Sequence, residues 1–574
     1  MGQLRRAARS YDRATRVRGD DVATLLRLGQ LQEALGAAQK AGATYRRLAA
    51  SNPTTADQEL LADVRELVGR PRPTEDEKFA FRRACFAADE RLTIMLQERF
   101  ASPEALRLHA HLAERLSDWQ AARARWERLD SCCTLSAPGA LVRLARARRK
   151  TGDPAGAAAA LERLGESARS RKATQAEWRA LAMQQDAQEG DRLLREHVLA
   201  PGTVGPPTNA TRRGLELRRV PKEHVGALLP LIERLRALHR REPAAAVDGG
   251  AASLVHEFAD PGAREEREGP QSLLVTGTGW SGSGAVSDFL RGLASVNEPF
   301  PPPELSLFRG RINNVTVADV VAASDGGDWP QALAGFVLTS VLGFGLTDLE
   351  GQVHEQAMRK SAYAHVVRDD AAVAALLAAA DRLADDGQRL LAHPDLAPRV
   401  LPGMLRDFFD RVLRVSVTPG QTHVLLDNPL RPDHLELLRL LPRTRAIVVM
   451  RDPRDQYVAE TYERRVKDGR QLGSVDAFVR SRRRMVEAFQ QARAAADLDR
   501  QVHVVWFEDF VTRREVREDL LWEVRLVGTT APTGGGRFRP EESIKNIGIW
   551  QSAGDPEEVA RIEHGLAHLL PEQV

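Results

Sequence analysis

The sequence predicts an α + α/β multidomain chain: an all-helical amino-terminal region, then a carboxy-terminal α/β domain with a mostly parallel sheet and a helical insertion. Three observations predict it. At 574 residues the chain is too long for one hydrophobic core and should divide into roughly two to four domains. Residues 1–200 pass from one Ala-, Leu- and Arg-rich helical pattern to the next without a credible strand. Beyond Gln271, short β-branched runs alternate with helical segments, the pattern of a parallel sheet with helices on both faces.

Within residues 1–200 two stretches recur at an offset of 35 residues. Ser117-Asp-Trp-Gln-Ala-Ala122 leads to Trp126, and Gly152-Asp-Pro-Ala-Gly-Ala157 leads to Leu161. In each, a small Ala sits four positions before a bulky apolar residue. An earlier stretch carries Leu28-Gly29, Ala41, Tyr45 and Pro53. The spacing resembles the tetratricopeptide repeat, whose small residues let paired helices approach closely and whose Pro ends the second helix. That resemblance implies a surface for a protein partner rather than a site of chemistry; a non-repeating helical bundle is the alternative.

Residues 201–271 read as linker. Pro201-Gly-Thr-Val-Gly-Pro-Pro-Thr-Asn-Ala is a breaker cluster, Lys222 to about Arg241 forms one amphipathic helix, and Glu242 to Gln271 is loose and charged. The α/β domain then occupies 272–574. Its expected strands are Ser272–Thr276, His423–Asp427, Arg445–Met450 and Gln501–Phe507, with a helix from about Ala285 to Gly292. A mostly helical insertion covers about 331–415.

Bulk composition excludes several classes. The 82 basic and 79 acidic residues leave a net charge of +3, so no global field points to nucleic acid or an anionic membrane. Three cysteines, Cys85, Cys132 and Cys133, make neither a disulfide framework nor a metal-ligand spacing, and no metal is expected. The amino terminus lacks the apolar core of a signal peptide, and no run of roughly 18 apolar residues occurs; a cytoplasmic protein without a membrane span is expected.

The chemistry concentrates after the first expected strand. Thr276-Gly277-Thr-Gly279-Trp280-Ser281-Gly282-Ser283-Gly284-Ala285 joins a buried strand to a helix, so glycines can bring backbone N–H groups and a helix amino end against an anion. A Walker A loop places Lys and Ser/Thr after its last Gly; here Ala285 follows, leaving nothing to reach a γ-phosphate or hold Mg²⁺. A second segment, Arg451-Asp-Pro-Arg-Asp455, stands at the carboxyl end of a strand, where α/β sheets bind ligands.

Five pieces in order resemble the sulfotransferase family: the Ser-Gly-Ser loop, Leu426-Asp427-Asn-Pro429, the Arg451 segment, Phe507-Glu508-Asp-Phe510, and Glu542-Ser-Ile-Lys545-Asn-Ile-Gly548-Ile-Trp550. The resemblance spans about 280 residues. It implies a P-loop-type fold and transfer of a sulfuryl group from 3′-phosphoadenosine-5′-phosphosulfate (PAPS) to a hydroxyl-bearing acceptor: a glycan, glycolipid, peptide or small metabolite. Gly279, Trp280, Ser281, Gly282, Ser283, Gly284 and Ala285 would hold the 5′-phosphosulfate and Arg451 the 3′-phosphate. Arg537, Arg539 and Lys545 would form a basic clamp. Glu298, in a Glu-Pro segment, is the candidate base, with Glu304 its rival.

This sequence departs from the family pattern at three places. Trp280 stands where a Lys or Arg usually precedes the Ser-Gly of the loop, Ala459 where a Ser is usual, and Asn428 where a Lys is usual. Arg309, Arg311, Arg454 and Lys545 are candidates to supply the missing cation. Arg480–Arg484 reads as a solvated helix face, and Tyr457 and Trp550 as packing residues. Two other functions stay open: a non-catalytic nucleotide-binding scaffold, and a different P-loop transferase.

Overall fold

The computed structural model describes residues 2–18, 22–35, 40–41, 43–44, 55–71, 78–98, 102–133, 135, 137–199, 208–242, 251–259, 269–297, 307, 314–346, 361–367, 369–415, 420–441, 443–468, 474–495, 498, 501–526, 538–553 and 555–570. The chain divides into two compact units, one built mainly from Met1–Gln185, the other from Asp186–Leu349, Val353–Glu460 and Gly473–Val574.

In the first unit each helix packs on its sequence neighbour. Lys78–Glu98 lies on Pro103–Leu116, that on Trp119–Cys133, then Pro138–Lys150 and Pro154–Glu162. Such nearest-neighbour packing makes a quasi-one-dimensional array. The recurrence at 35 residues has a structural cause. Ser117 and Gly152 both adopt left-handed φ, 62° and 80°, just past a helix end. Asp118 N donates to Ala113 O at 2.9 Å and Asp153 N to Arg148 O at 2.9 Å, the long bond of the same C-terminal capping turn. Each Asp then caps the next helix, accepting from Ala121 N at 2.9 Å and Gly156 N at 2.7 Å. Ala122, Trp126, Ala157 and Leu161, the residues of the pattern, are all buried. Tyr45 and Pro53 lie outside the described residues.

The second unit holds a five-stranded sheet in the order β2-β3-β1-β4-β5, with β1 Gln271–Gly277, β2 Val296–Asn297, β3 His423–Asp427, β4 Thr444–Met450 and β5 Val502–Trp506. Every pairing is parallel. The central strands are apolar on both faces, as the sequence runs predict. Leu273, Val275, Leu425, Ile447, Val449 and Val505 pack against Val286 and Leu290 of the helix Ser283–Arg291 and against Phe507 and Phe510. The connection after β1 leads to the edge strand β2, whereas that after β4 leads to the opposite edge, β5. The direction of winding therefore switches beside β1, and a ligand crevice is expected at the carboxyl ends there.

The segment expected as linker belongs to this unit. Thr208–Leu217 is a second helix, and Lys222–His239 packs on Trp329–Gly335 and Asp370–Leu390. Leu228, Leu231, Ile232, Leu235 and Leu238 are buried, so the apolar stripe read as a linker helix has a core to face. The expected insertion is helical, with Asp370–Leu390 on Ala397–Val415. Among the described residues no helix is long and apolar enough to cross a membrane.

Buried Asp386 of Asp370–Leu390 pairs with Arg389 at 2.7 Å, beside Glu257. Burial pushes its carboxyl up to about 6, with Arg382 and Arg389 opposing and Glu257 adding to the rise. The folded chain keeps this proton where the unfolded chain, near 3.8, has released it. The stabilisation is full below the unfolded value and is lost as pH rises through the folded one. Asp386→Asn lacks this loss. Its stability relative to the parent should climb by on the order of 2–3 kcal/mol from about pH 4 to about pH 7 in urea unfolding, and a pH-independent difference would refute the assignment.

Candidate functional site

β1 ends at Gly277, and Thr278–Gly282 carry the chain into the helix Ser283–Arg291. The turn needs left-handed backbone at Gly279 (φ 76°), Trp280 (φ 54°) and Gly282 (φ 83°). Close approach fixes two glycines. A β-carbon on Gly277 would strike the Ser281 side chain and the Val449 carbonyl, and one on Gly282 would strike the Phe507 ring. Gly284 faces open space, which leaves its backbone approachable. Among the described residues no side chain caps the helix; in its first turn the Ala285 amide donates to the Gly282 carbonyl at 2.9 Å. Gln456 Nε2 donates to Thr278 Oγ1 at 2.8 Å, and Asn428 Nδ2 to Ser283 Oγ at 3.1 Å. The Ser281 hydroxyl is buried and has no hydrogen-bond partner among the described residues. A buried hydroxyl of that kind costs free energy unless something binds it.

Arg451 leaves the carboxyl end of β4 and is buried against the loop. Nη1 donates to the Trp280 carbonyl at 3.0 Å and Nη2 to the Asn546 carbonyl. The guanidinium lies 5.0 Å over the Phe507 ring, and its Nε has no partner among the described residues. Burial lowers the Arg451 pKa, while Asp455, Glu508 and Asp452 raise it.

The rest of Arg451-Asp-Pro-Arg-Asp455 holds protein. Asp452 accepts from Arg454 N at 2.8 Å and pairs with its guanidinium at 2.6 Å; Pro453 opens the helix Pro453–Asp468. Arg454 also pairs with Glu563 at 2.6 Å and lies 4.0 Å over the Trp550 ring, so it is not the substitute cation for the loop. Asp455 accepts from Gly548 N at 2.7 Å and Trp550 N at 3.1 Å and thereby pins the closing Gly-Ile-Trp segment. Glu508 accepts from Asp452 N at 2.9 Å. Burial raises the pKa of both Asp455 and Glu508.

The structure therefore brings Gly279, Trp280, Ser281, Gly282, Ser283, Gly284 and Ala285 together with Arg451. It does not bring Lys545 to them: its ammonium pairs at 2.8 Å with Glu542 in its own exposed turn. Arg539 is exposed at the start of Pro540–Ser543. Glu298, Glu304, Arg309, Arg311 and Arg537 lie outside the described residues. Tyr457 is buried edge-on to Phe478 at 5.1 Å, a packing role as expected.

One residue was missed. Arg480, Arg483 and Arg484 are exposed, but Arg482 of the helix Val475–Ala495 is buried. It pairs with buried Glu460 at 2.6 Å and lies 4.9 Å over Phe478. Nη1 comes within 3.2 Å of where a Gly279 β-carbon would stand. A signal existed: Val475, Phe478, Val486 and Phe489 are buried at helical spacing, and Arg482 stands in their stripe.

The tetratricopeptide repeat family matches residues 23–55 and 139–168, and the amino-terminal region thus carries tetratricopeptide repeats. No curated protein matches the chain. Among solved structures it is similar to the sulfotransferase STF9 from Mycobacterium avium, at 15% identity and a TM-score of 0.26, over 67% of this chain and 94% of that one. At that score the likeness decides neither fold nor chemistry, which rest on the residues above.

Asp455→Ala should free the Gly548 and Trp550 amides. Hydrogen exchange there should accelerate, and the variant should lose roughly 1–3 kcal/mol of stability for the broken charge-assisted bonds. Unchanged protection of both amides would show that Asp455 does not hold this segment.

Proposed function

We propose that the second unit is a sulfotransferase domain that takes PAPS as donor and passes its sulfuryl group to a hydroxyl of a glycan, glycolipid, peptide or small metabolite. The observation that carries this reading is the buried, unpartnered Ser281 hydroxyl beside uncapped helix amides, with the Arg451 guanidinium against the same loop. Hydroxyl, amides and cation together make an anion cradle at the topological switch point. Ala285 stands where a nucleoside-triphosphate loop places its Lys, which favours a donor whose transferred group needs no Mg²⁺.

In the reaction the acceptor oxygen bonds to sulfur as the bond from sulfur to the bridging oxygen breaks. The electron pair stays on the 5′-phosphate, giving 3′-phosphoadenosine-5′-phosphate (PAP), and the acceptor's proton passes to a base, for which Glu298 is the sequence candidate and Glu304 its rival. The loop amides and Ser281 hold the 5′ end. Arg451 meets the 3′-phosphate by exchanging a backbone carbonyl for it, its Nε being unpartnered. The tetratricopeptide repeats offer a surface for a protein partner or for an acceptor's carrier.

A second reading, a nucleotide-binding scaffold that does not turn over, is favoured by Trp280, since a lost leaving-group cation is analogous to a lost oxyanion donor, which costs about 2.7–4 kcal/mol.

Calorimetric titration of the full chain with PAP, with all divalent metal chelated, tests the donor site. Micromolar binding is expected, with Ser281→Ala weakening it by roughly 5- to 10-fold for one lost hydrogen bond. A folded protein that binds no PAP overturns the reading. Binding of PAP without release of PAP from PAPS in the presence of any hydroxyl acceptor selects the scaffold.

A further inference from the structure

We propose that Arg482 supplies the positive charge at the donor's 5′-phosphosulfate that the loop, with Trp280, does not carry itself; this rests on the donor reading above. The loop reaches the surface at Gly279 and Gly284, and the buried Arg482 guanidinium lies behind its Gly279 end. Nη1 and Nη2 stand 3.2 Å and 3.5 Å from the point that a Gly279 β-carbon would occupy. Any side chain at 279 would therefore press on the guanidinium, and glycine lets the loop lie close against it. Trp280, the next residue, marks the place from which a loop cation would otherwise extend, so Arg482 brings its charge to the same end of the loop from a different element.

The guanidinium is fixed for such a task. Glu460, on the helix that follows Arg451, pairs with it at 2.6 Å, and both side chains are less than one-tenth exposed. Phe478 lies beneath it at 4.9 Å, and Tyr457 packs edge-on against Phe478. A buried ion pair is weak evidence for stability, because apolar residues of similar volume do as well or better. Its position explains it better. With Arg451 bonded to the Trp280 carbonyl, the loop carries a guanidinium on each of two elements, one from the end of β4 and one from the helix Val475–Ala495. With Arg451 meeting the 3′-phosphate, Arg482 is the guanidinium placed to balance the charge that collects on the 5′-phosphate as the sulfur–oxygen bond breaks.

The test uses the full chain and two nucleotides: PAP, which has a 5′-phosphate, and adenosine 3′-monophosphate, which lacks it. Arg482→Met is combined with Glu460→Gln so that no buried carboxylate is stranded, and circular dichroism and thermal melting establish that the double variant is folded. It should bind PAP about 10- to 100-fold more weakly than the parent while binding the 3′-monophosphate equally. Glu460→Gln alone should keep PAP affinity within roughly 3-fold, because the guanidinium remains. A double variant that binds PAP as the parent does, or that loses both nucleotides alike, overturns the role of Arg482 and leaves the donor reading standing. A parent that binds neither nucleotide overturns the donor reading and this one with it.

Discussion

The candidate site depends on one buried guanidinium. Arg451 donates to the Trp280 carbonyl of the loop and to the Asn546 carbonyl of the closing segment, with Phe507 beneath it. A charge this buried is stable only when acidic groups surround it and most of its donors find acceptors. Asp452, Asp455 and Glu508 provide that surrounding, and each is itself tied to backbone: Asp452 to the start of the next helix, Asp455 to Gly548 and Trp550, Glu508 to the amide of Asp452. Loop, β4, the helix after it and the closing segment are thus one hydrogen-bonded body, although they come from positions about 270 residues apart in the sequence.

The unequal burden within Arg451-Asp-Pro-Arg-Asp455 follows from this. Only the first residue faces the loop; the others build the frame that orients it. Functional and structural charges are indistinguishable when read as a string, since all are Asp or Arg. Their roles separate only once the helix Pro453–Asp468 assigns each a direction.

Much of the fold was legible. Apolar β-branched runs locate β1, β3 and β4 because strands buried on both faces leave no polar alternation to confuse them, and the run at β5 marks a partly exposed edge strand. The 35-residue recurrence was legible too, since Asp118 and Asp153 repeat the same cap. Strand β2 is only two residues long and carries no periodic signal of its own. The amphipathic helix Lys222–His239 was legible, but not its packing, because its apolar stripe reads alike whether or not a partner lies across it. At the site, the Gly/Ser loop and Arg451 could be read from spacing, whereas Arg482 was hidden in a run of arginines whose other members face water. A charged residue in an apolar stripe is a better clue than the run that contains it.

Arg451 bonds the loop and the closing segment through carbonyl oxygens, which every amino acid presents alike. The latch itself therefore asks nothing of the side chains at 280 and 546 beyond the left-handed backbone that residue 280 adopts. The chemical character of residue 280 can change without breaking the bond that holds the loop, so what the site carries and what holds it in place are separable.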